Sequence, residues 1–240
     1  TSWRGEPLAG SLRRFLRWKK IQSPVISCPM LPGEEGSQAT SLRGPSMTSA
    51  WSRAVALGVI AALLTLVSPS GADQVVVPLE LQAELLAKVA SYDRNMPARA
   101  GDRVHVLLVT KPSDAESARV VTRMQSALHA LPHIGGLPHD EQTIDFTTAA
   151  DLARHCRAKH IAVLFVGPGH SDDLPAIREA LDGVDVLSVS PVPEYIARGI
   201  VLGFDVVSGK PRLLVNLGQA RRQHVALRAE VLKLMKVYEE

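Results

Sequence analysis

The sequence has little cysteine, few aromatic residues and no long apolar run. Two cysteines among 240 residues allow at most one internal disulfide, which excludes a disulfide-dense scaffold. Aromatic residues make up 4% of the chain, and all three tryptophans lie before residue 72. Hydrophobic residues reach 46% and charged residues 21%, which excludes a disordered or collagen-like chain. The sequence therefore predicts a folded globular protein.

The positive charge of the chain is confined to its first part. The formal net charge is +3 overall, and a basic balance can indicate nucleic acid or an anionic membrane as a partner. Residues 1–72 hold eight basic and three acidic residues, so residues 73–240 carry a net charge of −2. We therefore expect the main domain not to bind nucleic acid.

The longest charge-free apolar run is 54–67, which is 14 residues long. As a helix it would extend about 21 Å, short of the roughly 30 Å hydrocarbon core of a bilayer. Arg53 precedes the run, and small residues ending in Ala72 follow it, which is the pattern of a secretory signal peptide. We predict a signal peptide over 47–72 cleaved near Ala72, with an uncleaved anchor as the alternative. Residues 1–46 are predicted to be a disordered extension upstream of a misassigned start.

Residues 73–240 are predicted to form one domain of alternating strands and helices. Helical spacing and capping patterns predict five helices. The first is opened by Pro78 and closed by Met96-Pro97, and the second begins with a capping box at Ser113 and Glu116. The third begins at Thr148, the fourth is capped by Ser171, and the last spans 217–238. Apolar runs predict strands over 103–109, 142–146, 160–166 and 184–189, and then a hairpin of 200–207 with 211–216. The predicted fold is an α/β single-domain layered sandwich with a mixed, mostly parallel sheet, a closing β-hairpin and a C-terminal helix.

Catalytic and metal-binding patterns are missing. The sequence has no G-x-S-x-G, no H-E-x-x-H, no P-loop and no Rossmann fingerprint. Cys156 lies between His155 and His160, but a zinc site needs a fourth ligand and different spacing. We predict a structural helix-end cysteine there, and no catalytic residue, metal or cofactor anywhere in the chain. An enzymatic function based on Cys156 or the histidines remains a minor alternative.

Two loops follow predicted parallel strands and could line one crevice. Lys111 and Ser113 follow the first strand, and His170 and Ser171 follow the strand over 160–166. Loops at the carboxyl ends of parallel strands are natural binding sites for small anions. These four residues are the candidate ligand crevice. The alternative is a plain strand-to-helix turn capped by serine.

The C-terminal third resembles a known family. A strand around Leu187-Ser188-Val189 is followed by Gly199 and by an apolar strand with Phe204, and then by Asn216-Leu217 and a segment with Leu232 and Leu234. This order is similar to that of the YfiR/HmsC family of periplasmic regulatory proteins. The resemblance covers about residues 76–238. It consists of strands and small residues rather than a catalytic motif, and we interpret Asn216 as a helix cap.

The resemblance implies a function and a partner. Such a protein is exported to the periplasm, binds the periplasmic sensing domain of an inner-membrane diguanylate cyclase or another sensor, and represses cyclic-di-GMP synthesis and hence biofilm output. It is not an enzyme, and it can form a homodimer. The disulfides of family dimers cannot form here, because only Cys156 remains after the predicted signal peptide. The alternative is a periplasmic small-molecule (anion) binding module related to one lobe of a transport receptor.

Overall fold

A computed structural model describes residues 77–239. The predicted signal peptide and upstream extension lie outside the described residues. Within the described part, no helix is both long and apolar enough to cross a membrane. The helices are α1 Leu79–Ala90, α2 Met96–Ala100, α3 Ala115–His129, α4 Ala149–Ala158, α5 Leu174–Ala180, α6 Glu194–Ala197, α7 Leu217–Arg222 and α8 Ala229–Leu232. The strands are β1 Val104–Thr110, β2 His139–Asp145, β3 Val163–Val166, β4 Leu187–Ser190, β5 Leu202–Val207, β6 Lys210–Asn216 and β7 Met235–Tyr238.

The strands form one seven-stranded sheet in the order β2-β1-β3-β4-β5-β6-β7. Neighbouring strands are parallel except for β5 and β6, which form an antiparallel hairpin. The predicted mixed, mostly parallel sheet with a closing hairpin is therefore confirmed.

Each face of the sheet has its own apolar core, which accounts for the continuous apolar runs in the central strands. Leu108 of β1 packs with α1 and α3 in one core, whereas Leu107 and Val109 pack with α4 and α5 in the other. Both cores contain many fully buried side chains, such as Leu86 in the first and Leu164 in the second. The result is the predicted layered sandwich of helices on both faces of a sheet.

Several local predictions are confirmed. Thr148 caps α4 by accepting a hydrogen bond from the backbone N–H of Asp151 at 3.1 Å. The hairpin of β5 and β6 turns through Ser208 and Gly209, which have positive φ angles of 52° and 71°. Two consecutive residues with positive φ are typical of the type I′ turn, whose twist matches that of the flanking strands.

The predicted capping serines are wrong. The N-cap of α3 is Asp114, whose Oδ1 accepts hydrogen bonds from the backbone N–H groups of Glu116 and Ser117 at 2.9 and 3.0 Å. Ser113 lies one residue earlier with a φ of 62°. The N-cap position of α5 is Asp173 rather than Ser171. At Asp114 the carboxylate competes well with the Ser113 hydroxyl, because it accepts from two N–H groups and favours the positive end of the helix dipole. The side chain of Asp173 makes no capping hydrogen bond.

The predicted C-terminal helix over 217–238 is also wrong. The segment forms α7, α8 and then β7, which pairs in parallel with β6 in the register Leu213 to Met235. His224 has a φ of 53°, which an α-helix does not allow. Strand β7 covers the edge of β6, and this non-local pairing outweighs the local helical spacing.

Other predicted boundaries of helices and strands differ from those in the structure. The first helix does not continue to Met96, because α1 ends at Ala90 and Met96-Pro97 begins α2. The strand predicted over 160–166 shortens to β3, because His160 lies in a turn with a φ of 51°. The strand predicted over 142–146 begins earlier, as β2, and the one over 184–189 begins later, as β4.

A buried ion-pair network, which we name the Arg99 cluster, joins the amino ends of β1 and β4. The guanidinium of Arg99 donates to Asp93 Oδ2 at 2.7 Å and to Asp185 Oδ1 at 2.6 Å. It also donates to the carbonyl of His224 at 3.1 Å. The other oxygen of Asp93 accepts from the backbone N–H of Ala226 at 2.9 Å. The Arg99 cluster therefore ties the segment between α1 and α2 to the loop before α8.

Candidate functional site

The predicted crevice lies where the connections from adjacent strands diverge. Strands β1 and β3 are neighbours, and α3 leaves β1 on one face of the sheet while α5 follows β3 on the other. This divergence is the topological switch point at which open α/β sheets commonly bind ligands. Lys111 follows β1 directly, and His170 follows β3 after a Gly-Pro-Gly turn. The predicted location of the crevice thus agrees with the topology.

Asp173 brings the two predicted residues together. Lys111 Nζ lies 2.7 Å from Asp173 Oδ2, and His170 Nδ1 lies 3.1 Å from the same oxygen. The His170 side chain is fully buried, whereas those of Lys111 and Asp173 are 33% and 22% exposed. The crevice is therefore closed at its base by His170 and reaches solvent through the ion pair.

The electrostatics of the crevice favour a neutral imidazole beside a carboxylate. Burial lowers the pKa of His170, and this outweighs the hydrogen bond and charge of Asp173, which raise it. Burial alone would raise the pKa of Asp173, but the hydrogen bonds from Lys111 and His170 and the charge of Lys111 hold that pKa below its ordinary value. A neutral His170 that donates from Nδ1 to this carboxylate must leave Nε2 as an acceptor. Among the described residues, this buried Nε2 has no hydrogen-bond partner.

Two aromatic residues complete the surroundings of His170. The ring of Phe146, just after β2, meets the imidazole edge-to-face at a centroid distance of 5.0 Å. Lys111 Nζ lies 5.9 Å from the centre of the same ring, within the range of a cation–π contact. The Tyr195 hydroxyl accepts a hydrogen bond from the backbone N–H of His170 at 2.8 Å. These contacts fix the position of the imidazole from three elements.

The Gly-Pro-Gly turn packs closely against the start of α3. Gly169 has a φ of +87°, and a Cβ there would lie 2.4 Å from Asp114 Oδ2. Glycine is therefore required at this position both by the backbone conformation and by the approach of the Asp114 carboxylate. The turn also brings a second negative charge to the crevice beside that of Asp173.

The four predicted crevice residues are only partly assembled. Lys111 and His170 share the Asp173 carboxylate, while Ser113 is exposed and Ser171 is partly buried. The backbone carbonyl of Ser171 accepts a hydrogen bond from Arg198 at 2.5 Å.

Sequence reasoning missed Asp173, Asp114 and Phe146. The spacing of His170 and Asp173 three residues apart is the one signal that could have indicated their pairing, since residues three apart can meet where a helix begins. The Lys111 ammonium group is already paired with Asp173, and Asp114 places a second carboxylate near the Gly-Pro-Gly turn, so an anion would compete with carboxylates for Lys111.

Cys156 lies on the buried face of α4. Burial raises the pKa of its thiol to about 12, against a smaller opposing effect of Arg157. A thiol with so high a pKa is not an activated nucleophile at neutral pH. In the part of the chain that the structure covers, no group of three His, Cys, Asp or Glu residues is arranged to hold a metal ion.

The residues that carry the family resemblance have structural positions. Asn216 caps α7 by accepting from the backbone N–H of Gln219, and its amide donates to the carbonyl of Ile196, both at 2.9 Å. Its predicted role as a cap is therefore confirmed. Phe204 is buried in the core, Gly199 has a φ of +115°, and Leu217 and Leu232 pack against the core. Leu234 lies partly buried just before β7, so it ends no helix.

Solved structures show weak overall similarity. A conserved domain protein from Vibrio cholerae is 16% identical with a TM-score of 0.44 and covers 68% of this chain and 60% of its own. A domain from Streptococcus pneumonia in complex with L-Trp is 12% identical with a TM-score of 0.47, covering 67% of this chain and 62% of its own. A ligand-free, open substrate binding protein with adhesive properties from Clostridium difficile is 13% identical with a TM-score of 0.46, covering 68% and 60%. The chain thus spans about six tenths of the length of each.

The family comparison is specific. A search of curated proteins finds no match, but residues 79–236 match the model of the YfiR/HmsC-like family. The match begins at the first residue of α1 and ends within β7, so it includes six strands completely and the first two residues of β7. Membership supports, at the level of the family, a periplasmic regulatory role without enzymatic activity. The chain belongs to the YfiR/HmsC-like family.

Proposed function

We propose that this protein is an exported periplasmic regulator that binds the periplasmic sensing domain of an inner-membrane diguanylate cyclase and represses cyclic-di-GMP synthesis. The observation that carries the proposal is the family match, which spans six of the seven strands of the described sheet and the start of β7. A match of this extent means that the complete domain, rather than one motif, is of the regulatory type.

The chemistry of the crevice agrees with a regulatory rather than a catalytic role. His170 is held neutral and buried, its partner Asp173 is already paired with Lys111, and the Cys156 thiol is protonated at neutral pH. A general base must reach the proton that it abstracts, and a nucleophile needs an activating neighbour. His170, Asp173 and Lys111 hold the two loops in place through their mutual contacts. A regulator that binds a protein partner requires a stable surface and no catalytic group.

Co-purification tests the partner directly. The full chain with an affinity tag is expressed in its own host, membranes are solubilised in mild detergent, and captured proteins are identified by mass spectrometry. We expect enrichment of a membrane protein that combines a periplasmic sensing region with a cytoplasmic diguanylate cyclase domain. Capture of no such protein, with the tagged chain present in the periplasm, would contradict the proposal.

A second candidate function is the binding of a small anion in the crevice. The observation that favours it is the position of Lys111 and His170, which share the Asp173 carboxylate at the switch point of the sheet. Thermal-shift screening with small anions tests it. A shift that disappears in Lys111→Ala and His170→Ala supports the candidate, and equal shifts in all three proteins count against it.

A further inference from the structure

An open cleft of about 520 Å³, lined by none of the four crevice residues, lies between the ends of α5, α6 and α7. Three arginines line it, Arg178 from α5, Arg198 after α6 and Arg222 at the end of α7. Glu179 and Asp182 also line it, so the local charge is positive although residues 73–240 are net negative. We name this surface the arginine cleft.

Gly199 positions Arg178 in the arginine cleft. A Cβ at Gly199 would lie 2.6–2.7 Å from the Cβ, Cγ and Cδ atoms of Arg178, so the stem of that arginine lies directly on the glycine. The φ of +115° at Gly199 is itself disfavoured for other residues. The backbone carbonyl of Arg178 also accepts from Gln219 Nε2 at 3.4 Å. A glycine of the family pattern thus serves as the support for an arginine side chain.

The other two arginines are held by one contact each in the structure. Arg198 donates from Nη2 to the carbonyl of Ser171 at 2.5 Å. Arg222 Nε lies 3.7 Å from Asp182 Oδ1, and both side chains are about half exposed. A guanidinium carries five N–H donors, so each contact leaves most of the donors of that group available to a further acceptor.

We infer that the arginine cleft binds an oxyanion, a carboxylate or phosphate group, of a ligand or of an acidic peptide segment. Planar guanidinium groups match the two oxygens of such a group, and charge-assisted hydrogen bonds of this kind are the strong ones. The carboxylates of Glu179 and Asp182 also line the cleft and reduce its positive charge. Lys111 in the crevice is already paired with Asp173, so the arginine cleft offers more positive charge to an anion than the crevice does.

Isothermal titration calorimetry of the full chain at low ionic strength tests the site with three probes: citrate, inorganic phosphate and a hexaglutamate peptide. We expect binding of at least one probe. Substituting Arg178→Gln, Arg198→Gln or Arg222→Gln should each weaken it roughly tenfold, since each removes a charge-assisted hydrogen bond. Binding of citrate or phosphate indicates that the natural ligand is a small molecule. Binding of the peptide alone indicates that it is an acidic segment of a protein.

The matched control is Arg119→Gln, which removes an exposed arginine on α3 that is paired with Glu116. It should leave binding unchanged. No heat with any probe, or equal weakening in the Arg119 variant, would overturn the inference. Because the titration involves no cyclase, its failure is distinguishable from failure of the proposed regulatory function.

Discussion

Two charged clusters lie at opposite ends of the parallel strands of the sheet, and they differ in burial. In the Arg99 cluster, the side chains of Arg99 and Asp93 are 2% and 0% exposed. In the crevice, the paired side chains of Lys111 and Asp173 are 33% and 22% exposed. A buried pair depends entirely on its partners for solvation, whereas a partly exposed pair is solvated by water when it breaks. We therefore assign the Arg99 cluster to stability, and the crevice is the end of the sheet that can change without unfolding the protein.

Substituting Arg99→Met should have the largest effect. It leaves the Asp93 carboxylate buried without its cation, which costs about 3–5 kcal/mol in the free energy of unfolding. Urea denaturation measures this loss. Arg103→Met is the control, because that side chain is 50% exposed, and it should change stability by less than about 0.5 kcal/mol. Similar losses of stability in Arg99→Met and Arg103→Met would contradict the assignment of the buried Arg99 cluster to stability.

Asp173→Asn should have a smaller effect at the other end of the strands. The change keeps the shape of the side chain but removes the charge that Lys111 and His170 share. We expect a loss of about 1–2 kcal/mol, because the partly exposed pair with Lys111 contributes less than about 1 kcal/mol and the hydrogen bond with His170 adds about 1 kcal/mol. Asp172→Asn, at the exposed neighbouring position, is the control and should be near neutral. A loss as large as that of Arg99→Met would show that the crevice is part of the structural core.

His170 should make stability depend on pH. Its pKa in the folded protein lies below the ordinary value because of burial, so the folded state favours the neutral imidazole. The stability that this group contributes is present above the unfolded pKa of about 6.5 and is lost as the pH falls from there through the folded pKa.

The variant His170→Gln measures that contribution. It should make the decline of unfolding free energy with falling pH less steep, by at most about 1.4 kcal/mol per pH unit for one proton. Denaturation curves at several pH values between 7 and 5 give the slope. His133→Gln, at an exposed loop position, should leave the slope unchanged. An unchanged slope in His170→Gln would mean that the imidazole titrates alike in both states.

Lys111→Ala should have the smallest effect. The ion pair with Asp173 is partly exposed, and pairs of this kind contribute less than about 1 kcal/mol. The loss should shrink further in high salt, because mobile ions screen the pair. Denaturation at low and high ionic strength, with the exposed Lys159→Ala as control, checks both points. A loss of stability that is the same at low and high salt would show that the ion pair of Lys111 is shielded from solvent, contrary to its partial exposure.

The sequence predicted those features of the fold that depend on local patterns. Apolar runs located the central strands, and Thr148 marked the start of α4, because capping and burial are encoded within a few residues. The C-terminal helix was predicted wrongly, since the pairing of β7 with β6 depends on an edge formed elsewhere in the chain.

The same limit applies to the sites. Lys111 and His170 were found because both follow strands, and topology brings such positions together. Asp173 and Phe146 were missed, although they determine the charge and packing of the crevice. Arg222 is exposed, and it lines a cleft together with side chains from two other helices. No local pattern in the sequence indicates such a grouping.

The most direct test of the proposed regulation is the cellular concentration of cyclic-di-GMP with and without this protein. It is measured by mass spectrometry in the native host, in a deletion strain and in that strain carrying the wild-type gene. A repressor of a diguanylate cyclase predicts a rise on deletion and a return to the original level on complementation. A concentration that stays unchanged on deletion in every growth condition would contradict the proposal.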